Sequence, residues 1–155
     1  MKILLVGGSG FLGAWVARFL HINQCLARIF DPNKPDSEWH RLSGIRADAT
    51  EWVAGDVSKK SELDDAIRDC EGVINLAGLL TPECSQNPVR GAEVNLIGAI
   101  NVFEGALKHG LKKVAYTSSI GVYGPDHAEF PEPTTHYGSF KLASEGVARA
   151  FYEEH

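Results

Sequence analysis

The feature that most limits how this chain can fold is the segment GGSGFLG at positions 7–13, which directly follows the apolar run KILLV at 2–6. Gly7, Gly10 and Gly13 recur at intervals of three, where a strand would turn into the amphipathic run FLGAWVARFLH. Glycines at such a turn let the backbone approach a bound phosphate, and the helix N-terminus supplies free N–H groups and partial positive charge. Taken alone, the segment also fits a plain tight turn.

Short apolar runs alternate with longer amphipathic ones along the whole chain. Runs that are apolar throughout are typical of strands covered on both faces, and their alternation with helices is typical of a parallel sheet. We therefore predict an α/β fold, a Rossmann-type doubly wound parallel sheet with strand order 3-2-1-4-5. The predicted strands are ILLV, ARIF, EWVAG, GVINLA and KKVAYTS, in chain order.

The clearest helical periodicity begins at Pro88, which suits the first turn of a helix, and stops before Gly110, which suits its end. Apolar residues recur there at intervals of three and four and are predicted to face the core. They are Val89, Ala92, Leu96, Ile97, Ile100, Phe103 and Leu107.

Two further features concern a helix cap and a loop. Ser58 or Ser61 is expected to cap the helix that follows Asp56. Segment 124–136 holds three of the seven prolines and is predicted to be a surface loop.

Composition narrows the class of protein. The chain has 155 residues, 44% hydrophobic and 23% charged, which is the size and balance of one globular domain. The net charge is −5 and the basic residues are scattered, so we expect neither a nucleic-acid partner nor a membrane partner, and no apolar stretch is long enough for a membrane span. Three cysteines without a CxxC pair argue against disulfides and a metal site, and suit a cytoplasmic location.

An acidic residue follows the second predicted strand. Asp31, in the sequence RIFD, lies 21 residues past Gly10. A carboxylate at this place accepts hydrogen bonds from the two ribose hydroxyls of adenosine but repels a 2′-phosphate. The cofactor is therefore expected to be NAD rather than NADP, although Lys34 and Arg28 lie close in sequence and could weaken that preference.

Five motifs occur in order along the chain. They are GGSGFLG at 7–13, GDV at 55–57, NLAG at 75–78, TSSIGVYG at 117–124 and YGSFK at 137–141. Together they resemble the extended short-chain dehydrogenases/reductases, the NAD-dependent epimerase/dehydratase family. The resemblance runs from Met1 to about Glu145, with departures at Val6 and Phe140, where family members usually carry threonine and often serine.

The resemblance implies cofactor contacts from the pyrophosphate to both rings. Phe11 and Leu12 would lie along the pyrophosphate, Asp56 and Val57 would meet the adenine, and the segment 76–78 would line the nicotinamide side. Asn95 stands at the family's helix asparagine position, where a structural hydrogen bond is at least as good an interpretation as a catalytic role. The implied cofactor-binding set is Gly7, Gly10, Phe11, Leu12, Gly13, Asp31, Asp56, Val57, Leu76, Ala77, Gly78, Asn95, Tyr137 and Lys141.

Tyr137 and Lys141 are four residues apart, so on a helix their side chains share a face. A phenol with an ordinary pKa of about 10 is ionised about once in a thousand at pH 7, and a neighbouring ammonium group favours the ionised form. The pair is thus predicted to move a proton at a carbinol oxygen during hydride transfer. By resemblance, Ser119 would bond the same oxygen, with Ser118 as the competing candidate, and a half-buried structural tyrosine is the alternative for Tyr137.

The resembled family includes epimerases, dehydratases and simple dehydrogenases. Its 4,6-dehydratases carry an acid just after the catalytic serine or threonine, where this chain has Ile120 and Gly121, neither of which carries a proton. Dehydration is therefore disfavoured. We expect an NAD-dependent oxidoreductase or epimerase acting on a hydroxyl or ketone of a sugar nucleotide or related sugar. The alternatives are a simple dehydrogenase/reductase of a small non-nucleotide substrate and a non-catalytic nicotinamide-binding sensor.

The chain ends at RAFYEEH without a glycine or proline stop, whereas a doubly wound fold continues with a sixth strand. The resemblance implies a longer protein, with a C-terminal substrate domain and compatible with a homodimer. We therefore expect 1–155 to be its NAD(P)-binding domain. An exposed fifth strand and an apolar face with Leu142, Val147 and Phe151 would leave this domain poorly soluble or oligomeric, and without turnover.

Overall fold

A computed structural model describes residues 1–125 and 127–155, the side chains of 127 and 128 excepted. Its main sheet consists of β1 (Lys2–Val6), β2 (Leu26–Phe30), β3 (Glu51–Val53), β4 (Gly72–Asn75) and β5 (Val114–Tyr116). The five strands are parallel and lie in the order β3-β2-β1-β4-β5, which confirms the predicted order. Val6 pairs with both Phe30 and Asn75, so the carboxyl ends of β1, β2 and β4 meet at one edge.

Helices connect these strands within the described residues. They are α1 (Phe11–Ile22), α2 (Ser37–Ser43), α3 (Lys60–Ile67), α4 (Thr81–Gln86), α5 (Pro88–Ala92), α6 (Gly98–Lys108) and α7 (His136–Glu154). A π-helical turn, Glu93–Ile97, joins α5 to α6 in one long helix, as the sequence predicted. No helix in the described part of the chain is both long enough and apolar enough to cross a membrane.

Helices pack on both faces of the central strands, and alternate strand side chains point to opposite faces. Each face therefore has its own core. On one face Leu5 and Ile29 pack against Ala14 and Ala17 of α1. On the other face the core combines strand residues with side chains of α3 and α6, namely Leu4, Val6, Phe30, Val73, Leu63, Ile67, Val102 and Ala106. The strands are therefore apolar throughout because they are buried on both faces, as the sequence predicted.

The long helix buries a different face from the predicted one. Phe103 is buried as expected, but Val89 is 70% exposed and Ile97 is 44% exposed. A Cβ added at Gly98 would lie 2.7 Å from Cγ1 of Val57. Because the helix backbone approaches the chain this closely at Gly98, glycines and alanines make up much of its inner face beside Val102 and Phe103, and several other large apolar residues point outward.

Two local predictions are also corrected. Helix α3 begins after Lys59 without a side-chain cap, so neither Ser58 nor Ser61 caps it, and Ser58 bonds to Asp56 instead. Segment 124–136 is not simply a loop, since β6 (Tyr123–Gly124) and β7 (His127–Pro131) form an antiparallel pair. Residue 126, within that segment, lies outside the described residues.

A third difference is α2, a helix between β2 and β3 that was not predicted from the sequence. The Asp36 side chain accepts a 2.8 Å hydrogen bond from the Trp39 backbone N–H at its start. Gly44 ends it with a left-handed φ of 71°. Both are recognised helix-end signals, an aspartate N-cap and a C-terminal glycine, so the sequence did carry the information.

The last strand and helix lie at the expected edge. β5 is the end strand of the sheet, and its Val114 is 42% exposed. The apolar face of α7 is less exposed than predicted: Leu142, Val147 and Phe151 are each partly buried. The Phe151 ring lies 5.5 Å from the ring of Phe103, centroid to centroid, so α6 covers the Phe151 end of that face.

Candidate functional site

A cleft of about 400 Å³ opens at the carboxyl ends of the strands, where segments following β1 to β4 meet. We call this cleft the groove. The sheet order departs in opposite directions from β1, which is the place where open α/β sheets bind ligands. The predicted cofactor-binding residues that line it are Gly7, Gly10, Asp31, Asp56, Val57, Leu76, Ala77 and Gly78.

The three glycines of the loop have different surroundings. Gly7 has a φ of +73°, and a Cβ there would lie 2.6 Å from the Ala77 backbone. A Cβ at Gly13 would lie 2.1 Å from the Gly8 carbonyl oxygen, so α1 packs directly on the loop. At Gly10 the nearest atom to such a Cβ is 3.9 Å away. The chain itself needs glycine at 7 and 13, whereas the space beside Gly10 is open to a ligand.

At the start of α1, the side chains of Phe11 and Leu12, predicted to lie along the pyrophosphate, do not contribute to the groove. Phe11 and Leu12 are 73% and 53% exposed, and neither side chain lines the groove. Gly10 has an extended backbone before the first helical turn, with no side-chain cap. The free N–H groups of that turn are therefore the part of α1 suited to an anionic group.

Asp31 lies directly after β2, in the groove wall, and is 9% exposed. One of its carboxylate oxygens accepts a hydrogen bond from the Ser9 N–H at 3.1 Å and the other accepts one from the Asn33 N–H at 2.9 Å. Each oxygen of a carboxylate accepts two hydrogen bonds. Asp31 therefore supports the glycine loop and still has one acceptor position on each oxygen for a ribose hydroxyl.

The two basic residues near Asp31 in sequence are directed elsewhere. Arg28 bonds to Glu51 at 2.7 Å and to the carbonyl oxygens of Ala66 and Arg68. Lys34 is exposed and lines a separate small cavity. Neither side chain lines the groove, so neither Arg28 nor Lys34 is placed to offset the Asp31 charge for a 2′-phosphate.

At the far end of the groove, Asp56 lies in a network with Ser58 and Arg90. Its Oδ1 accepts from the Ser58 N–H at 2.9 Å and from the Ser58 hydroxyl at 2.8 Å, and its Oδ2 accepts from Arg90 Nη2 at 2.5 Å. Burial alone would raise the pKa of Asp56, but the hydrogen bonds from Ser58 and Arg90 outweigh it and lower that pKa. Sequence reasoning missed Arg90, which no local motif marks.

Asn95 lies on the π-helical turn and is 1% exposed. Its amide nitrogen donates to the carbonyl oxygens of Leu79 and Gly91, each at 3.0 Å, which is the structural bond anticipated for this position. Its Oδ1 is buried without a hydrogen-bond partner among the described residues. That oxygen points toward Gly78, because a Cβ at Gly78 would lie 2.8 Å from it.

The loop after β5 and the first turn of α7 bring Ser119 and Tyr137 together. A Cβ added at Gly121 would lie 3.3 Å from Ser119 Oγ and 3.6 Å from two carbons of the Tyr137 ring. This close approach depends on Gly138, where a Cβ would meet the Gly121 carbonyl oxygen at 2.0 Å. Ser118 is directed away, since its hydroxyl bonds to Glu145. Of the two serines, Ser119 is therefore the one beside Tyr137.

Lys141 lies on α7, one turn after Tyr137, and is 3% exposed. Its Nζ donates to the Thr117 carbonyl oxygen at 2.9 Å and lies 5.9 Å from the centre of the Tyr137 ring. A Cβ at Gly78 would lie 3.6 Å from this Nζ, so Lys141 adjoins the groove. Burial lowers the pKa of Lys141 to about 8. At pH 7 the side chain is thus protonated in a ratio of about ten to one.

These surroundings fit a dinucleotide. The open space at Gly10 suits a phosphate, the free acceptor positions of Asp31 suit a ribose, and the wall at Gly78 adjoins Lys141, one helical turn from Tyr137. The groove thus joins a phosphate site to a cluster of residues that can donate or accept a proton.

Comparison with known proteins agrees with this geometry. A family model described as the NAD dependent epimerase/dehydratase family matches residues 3–155. A bifunctional UDP-glucose 4-epimerase and UDP-xylose 4-epimerase 1 from Pisum sativum is 32% identical over 164 residues, 96% of this chain and 47% of the relative. Human 3 beta-hydroxysteroid dehydrogenase type 7 is 33% identical over 132 residues, 83% of this chain and 35% of the relative.

The fold of this chain is also similar to that of a solved epimerase structure. The UDP-glucose 4-epimerase of Thermotoga maritima, crystallised with UDP-glucose, aligns with a TM-score of 0.87 and 25% identity. The alignment covers 99% of this chain and 52% of that one. The chain spans about half the length, or less, of the relatives it matches.

Proposed function

The chain belongs to the NAD-dependent epimerase/dehydratase family, and from this premise we propose that residues 1–155 form the NAD-binding domain of an oxidoreductase or epimerase. The substrate we propose is a sugar nucleotide or a related sugar, with a hydroxyl or ketone as the reacting group. The known activities of similar proteins support this substrate class, since UDP-sugar epimerases are among them.

One observation carries the proposal: the groove wall at Gly78 adjoins Lys141, which in turn lies beside Tyr137 and its neighbour Ser119. The Cβ position of Gly78, in the groove wall, lies 3.6 Å from Lys141 Nζ, and that nitrogen lies 5.9 Å from the Tyr137 ring centre. A dinucleotide with its phosphates at Gly10 would therefore have one end beside a phenol, a hydroxyl and an ammonium group. This is the set that proton transfer at a carbinol oxygen needs.

The groove residues Gly10, Asp31 and Gly78 would hold NAD, which when bound would supply hydride acceptance and hydride return for the substrate carbinol carbon. Tyr137 would take the proton of the substrate hydroxyl on oxidation and give it back on reduction. Ser119 would hold the same substrate oxygen by a hydrogen bond. Lys141, cationic in most molecules at pH 7 and fixed by the Thr117 carbonyl, would favour the ionised form of Tyr137 by its charge.

The residues that follow Ser119 favour redox chemistry without loss of water. Ile120 and Gly121 offer no acid or base, and Ile120 is 85% exposed. We therefore propose 4-epimerisation or simple oxidation and reduction rather than 4,6-dehydration. A dehydrogenase acting on a non-nucleotide substrate is the second candidate, supported by the 33% identity to a hydroxysteroid dehydrogenase.

The test is a substrate screen with the complete gene product, using nucleotide sugars, uronic acids and small ketones. Turnover is followed by the absorbance of reduced nicotinamide and, for epimerisation, by formation of the epimer. Tyr137→Phe should abolish turnover and leave NAD affinity nearly unchanged, because the hydroxyl acts on the substrate proton. Tyr152→Phe, at a site 84% exposed, is the matched control. NAD binding without Tyr137-dependent turnover on any substrate would favour the sensor alternative instead.

A further inference from the structure

Arg90, on α5, is a groove residue that the proposed proton transfer does not use. Its Nη2 donates to Asp56 Oδ2 at 2.5 Å. Its Nη1 donates to Ser58 Oγ at 2.9 Å and to Glu93 Oε2 at 3.1 Å. A guanidinium group with three such bonds is held in one orientation, although the side chain is 36% exposed. Arg90 therefore forms a fixed part of the groove wall.

The topology of the sheet places Arg90 at the adenosine end. With the phosphates at the loop after β1, one half of a dinucleotide lies over β4 and β5 and the other over β2 and β3. Tyr137 and Lys141 lie beside β5 and the segment after β4, so the nicotinamide belongs on that side. Asp56, just after β3, and its partner Arg90 then lie beside the adenine.

The hydrogen bonds of Asp56 leave little freedom for a further donor. Oδ1 already accepts from both the N–H and the hydroxyl of Ser58, which fills its two acceptor positions. Oδ2 accepts from Arg90 and has one position left. Asp56 thus offers a single acceptor position to the groove, and Arg90 and Ser58 decide where it points.

We propose that Arg90 is a positioning residue for base recognition, which fixes Asp56 so that its remaining acceptor position takes the 6-amino group of adenine. The groove then selects a 6-amino purine over a 6-oxo purine, whose carbonyl oxygen would face the carboxylate. This inference rests on the proposed function, because it takes NAD as the ligand of the groove.

The experiment compares the affinities for NAD and for nicotinamide hypoxanthine dinucleotide, which differ at purine position 6. In the unaltered protein NAD should bind about tenfold more tightly or better, the ratio expected for a bond to a charged acceptor. Arg90→Met removes the guanidinium but keeps the apolar stem, so the two affinities should become nearly equal. Arg90→Lys, which retains a cation able to bond to Asp56, should restore part of the preference.

The control is Arg46→Met, since Arg46 is 81% exposed and pairs with Asp48, outside the groove. It should change neither affinity. Equal loss of both affinities in Arg90→Met, with the ratio kept, would show that Arg90 only supports the fold. An unaltered protein that binds both dinucleotides equally would also overturn the inference while leaving the proposed function intact. Failure to bind NAD at all would overturn both.

Discussion

The indole N–H of Trp39 donates a 2.8 Å hydrogen bond to the carbonyl oxygen of Gly8. Trp39 is 2% exposed and belongs to α2, a helix that does not line the groove. The conformation of the glycine loop therefore depends on a helix 31 residues further along the chain. Asp31 supports the same loop by accepting a hydrogen bond from the Ser9 N–H.

We predict that Trp39→Phe lowers the free energy of unfolding by about 1–3 kcal/mol, because it leaves the buried Gly8 carbonyl without this donor. NAD affinity should fall as well, since the loop is less firmly held. Urea denaturation and calorimetry measure the two effects. Trp15→Phe, at a site 45% exposed, should change stability by less than about 0.5 kcal/mol. A Trp39 variant as stable as the control would show that the hydrogen bond contributes nothing.

Alanine substitutions at Gly13 and Gly10 should have different effects, the first on protein stability and the second on NAD affinity. Gly13→Ala should cost at least about 2 kcal/mol of stability, because its methyl group would lie 2.1 Å from the Gly8 carbonyl oxygen. Gly10→Ala meets no atom within 3.9 Å and should change stability by less than about 1 kcal/mol. Its methyl group would enter the space assigned to a phosphate, so NAD affinity should fall about tenfold or more. Unchanged NAD affinity in Gly10→Ala would place the phosphates elsewhere.

Asp31 should set the choice between the two dinucleotides. We expect NAD to bind more tightly than NADP, and Asp31→Ala to cost about 1.5–3 kcal/mol of NAD binding, the range for bonds to a charged group. The same change should narrow the gap between NAD and NADP, because the repulsion of the 2′-phosphate is removed. Calorimetry with both cofactors measures this, with the exposed Asp65→Ala as control. Tighter binding of NADPH by the unaltered protein would remove this role from Asp31.

Lys141 should make stability depend on pH. Burial lowers its folded-state pKa to about 8, whereas the unfolded chain has an ordinary value of about 10.4. Between these values the unfolded state binds the extra proton, so stability rises with pH. Relative to Lys141→Met, the unaltered protein should gain about 2 kcal/mol between pH 8 and pH 10.

Urea denaturation at the two pH values measures this difference. Lys112→Met, which removes an exposed lysine before β5, is the control for loss of a basic residue. If the unaltered protein and Lys141→Met changed equally with pH, Lys141 would not be the group responsible.

The sequence by itself determined the features that depend on neighbours along the chain. Alternation of apolar and amphipathic runs predicted a parallel sheet covered by helices, because parallel strands buried on both faces need that pattern. The strand order then followed from the doubly wound topology. The glycine loop and Asp31 marked the ends of β1 and β2, and both line the groove. The four-residue spacing of Tyr137 and Lys141 placed them on one side of α7, since a helix repeats every 3.6 residues.

Only the tertiary structure decided which distant residues meet. Arg90 and Asp56 are 34 residues apart and Trp39 and Gly8 are 31 apart, so no local spacing relates either pair. The inner face of α6 was predicted wrongly for a similar reason. Periodicity identifies an apolar face by residue type, but at Gly98 the backbone comes so close to Val57 that only a small residue fits. Distances across the fold, set by how its layers pack, therefore determine these contacts, and a linear pattern of residue types does not contain them.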